Sequence, residues 1–121
     1  MPRNVARPPE CSLLRIVDVI AGKWPIMVMG TLLDGPIRFN ELRRTTGASQ
    51  KMLAQTLRAL ERDGLVLRKV TPSVPVAVEY SATTLGRTLG EAMLPLRNWS
   101  DCYVSQVEAA RHRWDENVRS T

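Results

Sequence analysis

The order of sequence patterns in the middle of the chain constrains the fold most strongly. Residues 40–64 read as a short helix, a tight glycine-containing turn and an amphipathic helix for which Ser49 is a good N-cap. Residues 65–81 contain two stretches of alternating side chains joined by a loop with two prolines, which predicts two strands. Two helices that are joined by a short turn and followed by a hairpin predict a winged helix-turn-helix.

Three more helices are predicted outside this segment. Residues 10–21 carry apolar side chains at helical spacing, and residues 25–33 are apolar nearly all round, which predicts a central, buried helix. Thr83 is expected to cap a last helix at residues 84–114, in which Pro95 predicts a kink or a division into two helices. The predicted fold is mainly α with a small β-hairpin.

Length and composition fit one domain. With 121 residues, 44% of them apolar, the chain is long enough for a modest hydrophobic core. We expect this domain to occupy residues 10–121 and a loose arm to occupy residues 1–9. No apolar run is long enough to span a bilayer, and the first residues lack the apolar middle of a signal peptide, so we expect a cytoplasmic protein.

The net charge of +5 arises entirely in residues 38–69. This stretch has eight basic and three acidic residues, whereas the remainder of the chain has nine of each. A neutral body with one basic face predicts a polyanionic partner, and double-stranded DNA is the leading candidate. The alternatives are an acidic protein that docks on the same surface, or a charged helix face that is simply solvated.

The amphipathic helix divides into two faces. Leu53, Leu57 and Leu60 share one side and should pack, whereas the opposite side presents cationic and amide donors that suit base edges in the major groove. In helix-turn-helix docking the N-terminal part of the second helix meets the bases, so the expected base contacts are Ser49, Gln50, Lys51 and Gln55. The expected phosphate contacts are Arg38, Arg43, Arg44, Arg58 and Arg62. The wing residues expected near the flanking groove or phosphates are Arg68, Lys69, Thr71 and Ser73.

The chain resembles the HxlR-type winged-helix transcriptional regulators over about residues 10–99. Four motifs carry the resemblance: GKW at 22–24, LLDGPIRFNELRR at 32–44, SQKMLAQTLRALERDGLV at 49–66 and VEYSATTLGRTL at 78–89. The resemblance implies a homodimeric bacterial DNA-binding regulator whose first and last helices build the dimer interface. The side chains expected in that interface are Leu13, Ile16, Val17, Met93, Leu96, Trp99, Tyr103 and Val107. Such a dimer should bind a pseudo-palindromic operator with half-sites about one helical turn apart.

Two cysteines suggest a regulatory hypothesis. Cys11 falls in the first turn of the first predicted helix, where the family commonly carries a cysteine, and a helix N-terminus favours the thiolate. We hypothesise that oxidants or electrophiles modify Cys11, or that Cys11 of one subunit pairs with Cys102 of the other. The alternatives are that both cysteines pack as small apolar side chains, or that a small apolar ligand at the dimer interface is the trigger.

The sequence contains no catalytic constellation. His112 has no acid or nucleophile at a spacing that suggests catalysis, and the two cysteines do not have the spacing of a metal site. We therefore expect no enzymatic activity, no cofactor and no metal.

Overall fold

The computed structural model describes residues 12–20 and 22–120. This part of the chain is mostly helical, with a small antiparallel sheet, and it has the winged-helix architecture that the sequence predicts. Its elements in chain order are α1 Ser12–Ile20, α2 Lys23–Leu32, β1 Ile37–Arg38, α3 Phe39–Thr46, α4 Gln50–Arg62, β2 Val66–Thr71, β3 Ala77–Ala82 and α5 Thr84–Ser120. The arm predicted at residues 1–9 lies outside the described residues.

The contacts divide the chain into two compact units, one that extends to Thr88 and one that begins at Leu89. The first unit contains α1 to α4 and the sheet, and the second consists of the greater part of α5. Among the described residues, no helix combines the length and the apolar character needed to cross a membrane.

The sheet has three strands in the order β1-β3-β2. The two predicted wing strands are confirmed as β2 and β3, which pair antiparallel from Val66 opposite Ala82 to Thr71 opposite Ala77. Ile37 and Arg38 supply the third strand, because Ile37 pairs with Tyr80 and Arg38 with Glu79. Two residues are too few to show an alternating pattern, so this strand depends on the neighbour that it pairs with.

The core of the first unit lies between α2, α3, α4 and the start of β2. Its most buried large side chains are Val28, Met29, Leu32, Leu42, Leu53, Leu57 and Leu60. The prediction that α2 is buried holds for three of its residues, but Ile26 is 46% exposed. At the sheet, the ring of Phe39 lies 6.3 Å from that of Tyr80 between centroids, which ties α3 to β3.

The last helix, α5, is longer than the sequence predicts. It ends at Ser120 rather than near Trp114, and it continues through Pro95. The predicted division into two helices is therefore wrong. Proline removes one backbone hydrogen bond from the ladder, and the turns on both sides of Pro95 keep their helical conformation. Thr83 caps the start of α5 as predicted, since its hydroxyl accepts from the Gly86 amide at 3.0 Å.

Gly86 is required where α5 crosses the start of β2. A Cβ at this position would overlap the carbonyl oxygen of Leu65 and come within 3.2 Å of Met29 Cε. The Leu65 carbonyl cannot easily move, because it accepts a hydrogen bond from the Thr83 amide at 3.1 Å. Gly86 therefore allows the backbone of α5 to lie directly against the core.

We expect Gly86→Ala to lower the free energy of unfolding by about 1–3 kcal/mol, because the added methyl forces backbone to move. The matched control is Gly30→Ala in α2, where a Cβ would meet nothing within 4 Å. That variant should gain up to about 1 kcal/mol from better helix propensity. Urea unfolding followed by circular dichroism measures both changes, and a Gly86→Ala protein as stable as the parent would contradict the close approach.

Candidate nucleic-acid interface

The turn between α3 and α4 determines where α4 begins. Gly47 follows α3 with a φ of 74°, a left-handed conformation that glycine adopts without strain. The Ser49 hydroxyl then accepts a hydrogen bond from the Met52 amide at 3.1 Å, which confirms Ser49 as the N-cap of α4. Thr46, the last residue of α3, supports the turn, because its buried hydroxyl donates to the Leu42 carbonyl at 2.8 Å.

The two faces predicted for α4 are present. Leu53, Leu57 and Leu60 are at most 1% exposed, and the buried Thr56 donates its hydroxyl proton to the Met52 carbonyl at 2.8 Å. The predicted polar face is exposed over its whole length, at Gln50, Lys51, Gln55, Arg58 and Arg62. The helix therefore presents amide and cationic donors to solvent from a rigidly packed base.

All thirteen residues that the sequence analysis assigns to DNA contacts are exposed to solvent. Three of them, Arg38, Arg44 and Arg68, line one groove of about 720 Å³ between the N-terminal end of α3 and the wing. The others on α3, α4 and the wing do not line this groove. In the wing, the Ser73 hydroxyl donates to the Pro75 carbonyl at 2.7 Å, so it can offer a partner only its lone pairs.

The groove has the chemistry of an anion site. Arg38 is the N-cap residue of α3 and makes no side-chain cap bond, so the first-turn amides of α3 keep their donors for a ligand. Within the described part of the chain, neither Arg38, Arg44 nor Arg68 forms an ion pair. Glu41 is the one carboxylate among the lining residues, against three guanidinium groups. A phosphate would therefore meet a net positive charge together with backbone donors.

Eight of the eleven lining residues were not among the predicted DNA contacts, and two of them, Asn40 and Tyr80, have uncharged polar side chains. Asn40 follows Phe39 in the first turn of α3, and Tyr80 lies on β3 with 8% of its surface exposed. By pattern Asn40 is an ordinary exposed residue, and Tyr80 lies opposite Ile37 in a strand pairing that the sequence does not predict. Neither residue therefore gives a local sequence signal of a binding site.

The side chains expected in a dimer interface are accessible in the single chain. Leu13 and Trp99 are 63% and 53% exposed, respectively. The exposed members of the set are Leu13, Ile16, Val17, Leu96, Trp99 and Tyr103, whereas Met93 and Val107 are half-buried. On α5 the rings of Trp99 and Tyr103 lie 5.6 Å apart between centroids. On each of the two helices, exposed apolar side chains of this size are unfavourable in water.

Of the two cysteines, Cys102 is a free, exposed thiol on α5. Cys11 lies outside the described residues, so the structure does not address its predicted position in a first helical turn. Among the described residues, no group of three or more His, Cys, Asp or Glu side chains has the arrangement of a metal site.

Comparison with known proteins identifies the family. The HxlR-like helix-turn-helix family matches residues 19–108, which includes every α3, α4 and wing residue described above. The chain belongs to the HxlR-like family. This HxlR-like protein is 41% identical over 110 residues to the HTH-type transcriptional regulator YdeP of Bacillus subtilis (strain 168), covering 88% of this chain and 86% of YdeP.

Two solved structures resemble this HxlR-like protein closely. The redox regulator HypR in its reduced form shares 40% identity with a TM-score of 0.77, covering 82% of this chain and 99% of HypR. The diamide-treated YodB of B. subtilis shares 34% identity with a TM-score of 0.65, covering 77% of this chain and 94% of YodB. The protein is a helix-turn-helix transcriptional regulator, and the regulators of its family are not enzymes.

The Ser49 cap leads to a stability prediction. Ser49→Ala should cost about 1 kcal/mol of unfolding free energy, because the Met52 amide loses its partner. Ser49→Asp is the matched control, since an aspartate caps a helix as well as serine does. Thermal and urea unfolding measure both variants, and equal stability of the alanine and aspartate proteins would refute the role of the cap.

Proposed function

We propose that the protein binds double-stranded DNA in a sequence-specific manner as a homodimer and thereby regulates transcription. The observation that carries this proposal is the exposed polar face of α4, which stands on a fully buried leucine stripe. A rigid helix that projects amide and cationic side chains fits the width of the major groove.

The N-terminal half of α4 is the part that would read bases. Lys51 and Gln55 are both exposed, and Gln is suited to a bidentate contact with adenine, as Lys is to guanine. Ser49 and Gln50 lie at the same end, where helix-turn-helix proteins approach base edges. The rival function, docking of an acidic protein, is less well supported, because a protein interface would normally place apolar anchors at its centre.

Phosphate contacts would flank this helix. The groove lined by Arg38, Arg44 and Arg68 would hold one phosphate beside the first turn of α3. Arg43, Arg58 and Arg62 are exposed on α3 and α4 and would contact phosphates nearer the major groove. Lys69 and Thr71 on the wing would extend these contacts. Phosphate contacts of this kind position a protein on DNA without selecting a sequence.

Dimerisation would place two copies of α4 on one operator. The exposed apolar side chains of α1 and α5, among them Leu13, Ile16 and Trp99, support a dimer because a second copy would remove them from water. A two-fold dimer implies a pseudo-palindromic operator with half-sites about one helical turn apart.

The test begins with selection of bound fragments from a genomic library, followed by anisotropy titrations on the selected and a scrambled duplex. We expect Lys51→Ala and Gln55→Ala each to cost about 1–3 kcal/mol on the selected site and little on the scrambled one. Arg43→Ala should weaken both duplexes alike and reduce the salt slope by about one, because it would remove a phosphate contact.

Arg111→Ala is the matched control, since it removes one positive charge outside residues 38–69 and should leave both affinities nearly unchanged. Stoichiometry should be two chains per selected duplex. Affinity that does not depend on salt, or a purified protein that binds no duplex, would contradict the proposed function.

We further propose that thiol oxidation at Cys11 controls the dimer, with Cys102 of the other subunit as its partner. Support comes from the similarity to HypR, which is a redox regulator, and to YodB in a diamide-treated form. The free, exposed thiol of Cys102 is available for such a reaction. Two thiols would lose two protons and two electrons, which diamide accepts as it is reduced to its hydrazine.

Diamide treatment of the purified protein should produce a dimer that survives a non-reducing gel and disappears with dithiothreitol. Cys11→Ser and Cys102→Ser should each abolish this band, because a disulfide needs both thiols. A Cys11→Ser protein that still responds to its inducer in cells would favour the alternative trigger, a small apolar ligand at the dimer interface. No covalent dimer together with unchanged DNA affinity would reject the disulfide.

A further inference from the structure

A second cavity, of about 400 Å³, lies between α1, the first turn of α2 and the side of α4. Its walls are largely apolar and come from Val19, Pro25, Met52, Ala59 and Leu60. Met52 is 40% exposed, so part of its side chain is accessible to a molecule in the cavity. This volume falls within the range of small-molecule sites in proteins.

The charged residues that line this cavity are both acidic. Asp18 lies in the last turn of α1, and Asp63 is the C-cap residue of α4. A carboxylate near the C-terminus of a helix is unfavourable, because the partial charge of the helix end is also negative. Two such carboxylates therefore line one cavity, each near a helix C-terminus, where a basic residue would be stabilising.

No basic side chain in the described part of the chain pairs with these two carboxylates. Within the described residues, neither Asp18 nor Asp63 forms an ion pair, although the whole protein carries a net charge of +5. The basic residues of α1, α2 and α4 are not among the residues that line the cavity. Lys23, for example, places its ammonium group 4.7 Å from the centroid of the Trp24 ring. The cavity is thus a negative site in a positively charged protein.

We propose that this cavity binds a small organic cation with an apolar body. The cationic group would lie between Asp18 and Asp63, and the apolar body would lie against Met52 and Ala59. A metal ion fits this cavity less well, because Ca²⁺ and Mg²⁺ require about six oxygen ligands and most of the wall is apolar.

The ligand would also contact the proposed DNA-reading helix. Gln55 lines the cavity and is one of the expected base contacts, so a ligand that engages its amide competes with a base edge. Binding of the cation and of DNA would then be mutually unfavourable by the same factor, since coupling between sites is reciprocal. This coupling rests on the proposed function, whereas binding of the cation does not.

Cation binding is tested first on the free full-length protein, with benzyltrimethylammonium as the probe. In a protein labelled with ¹³C at the methionine methyl groups, the Met52 signal should shift and saturate, and the Met93 signal should stay in place. Benzyl alcohol, which has a similar apolar body and no charge, should bind about tenfold more weakly. A Met52 signal that does not move, or equal binding of the two probes, overturns the proposal.

Substitutions test whether the carboxylates of Asp18 and Asp63 bind the cation. Asp18→Asn and Asp63→Asn should each weaken cation binding about two- to fivefold, and the double variant about tenfold, as expected for exposed carboxylates. Asp34→Asn causes the same change in net charge outside the cavity and should bind like the parent. Both cavity variants should unfold at the same temperature as the parent or higher, because each removes an acid from a helix C-terminus. Unchanged affinity of the double variant refutes the site.

The coupling is measured last, by titrating benzyltrimethylammonium into the complex with the selected duplex. Loss of DNA affinity in the parent, and its absence in the double variant, support the coupling. If the protein binds the cation at Met52 but binds no duplex, the cation site is supported and only the proposed DNA function is contradicted. Cation binding that leaves DNA affinity unchanged overturns the coupling through Gln55.

Discussion

The packing of α4 against α2 is the contact on which the rest of the structure depends. Leu53, Leu57 and Leu60 are almost completely buried, and they contact a helix that buries Val28 and Met29 in return. Once this stripe is buried, the rotation of α4 about its axis is no longer free. If the buried positions were shifted by one residue along the sequence, the helix would turn by about 100° and its polar face would point in another direction. Exposure of the amide and cationic side chains is therefore a consequence of core packing.

Two further features, the turn before α4 and the pairing of β1 with β3, arrange the exposed side chains around the packed helices. The left-handed Gly47 and the Ser49 cap allow α4 to begin after a turn of only three residues that follows α3. The pairing of β1 with β3 then joins the start of α3 to the wing, so that Arg38 and Arg68 line one groove. Arginines that are separated in the sequence are thereby brought together beside the N-terminus of α3. An anion there is stabilised both by the guanidinium groups and by the free amides of the helix end.

The helix α4 contributes to two surfaces of different charge. Its exposed polar face carries Lys51, Arg58 and Arg62, whereas its C-cap residue Asp63 lines the cavity together with Asp18. Gln55 belongs to both regions, since it is exposed on the polar face and lines the cavity. One helix therefore has the geometry to connect a surface suited to a polyanion with a site suited to a cation. A ligand in the cavity and DNA would then use the same helix, and any coupling between them would be reciprocal.

Periodicity and turn chemistry alone determined the order of the helices, the Ser49 cap, the two wing strands and the outward direction of the α4 polar face, but not the length of α5 or its continuity through Pro95. These features depend on residues close together in sequence, whose spacing reports directly on which side is buried. Tertiary structure decided the third strand, the grouping of Arg38 with Arg44 and Arg68, and the need for glycine at residue 86. Each of these features arises where segments that are distant in the sequence come into contact, and local sequence patterns do not predict such contacts. The cavity beside Asp18 and Asp63 belongs to the same class, because its two acids are 45 positions apart in the chain.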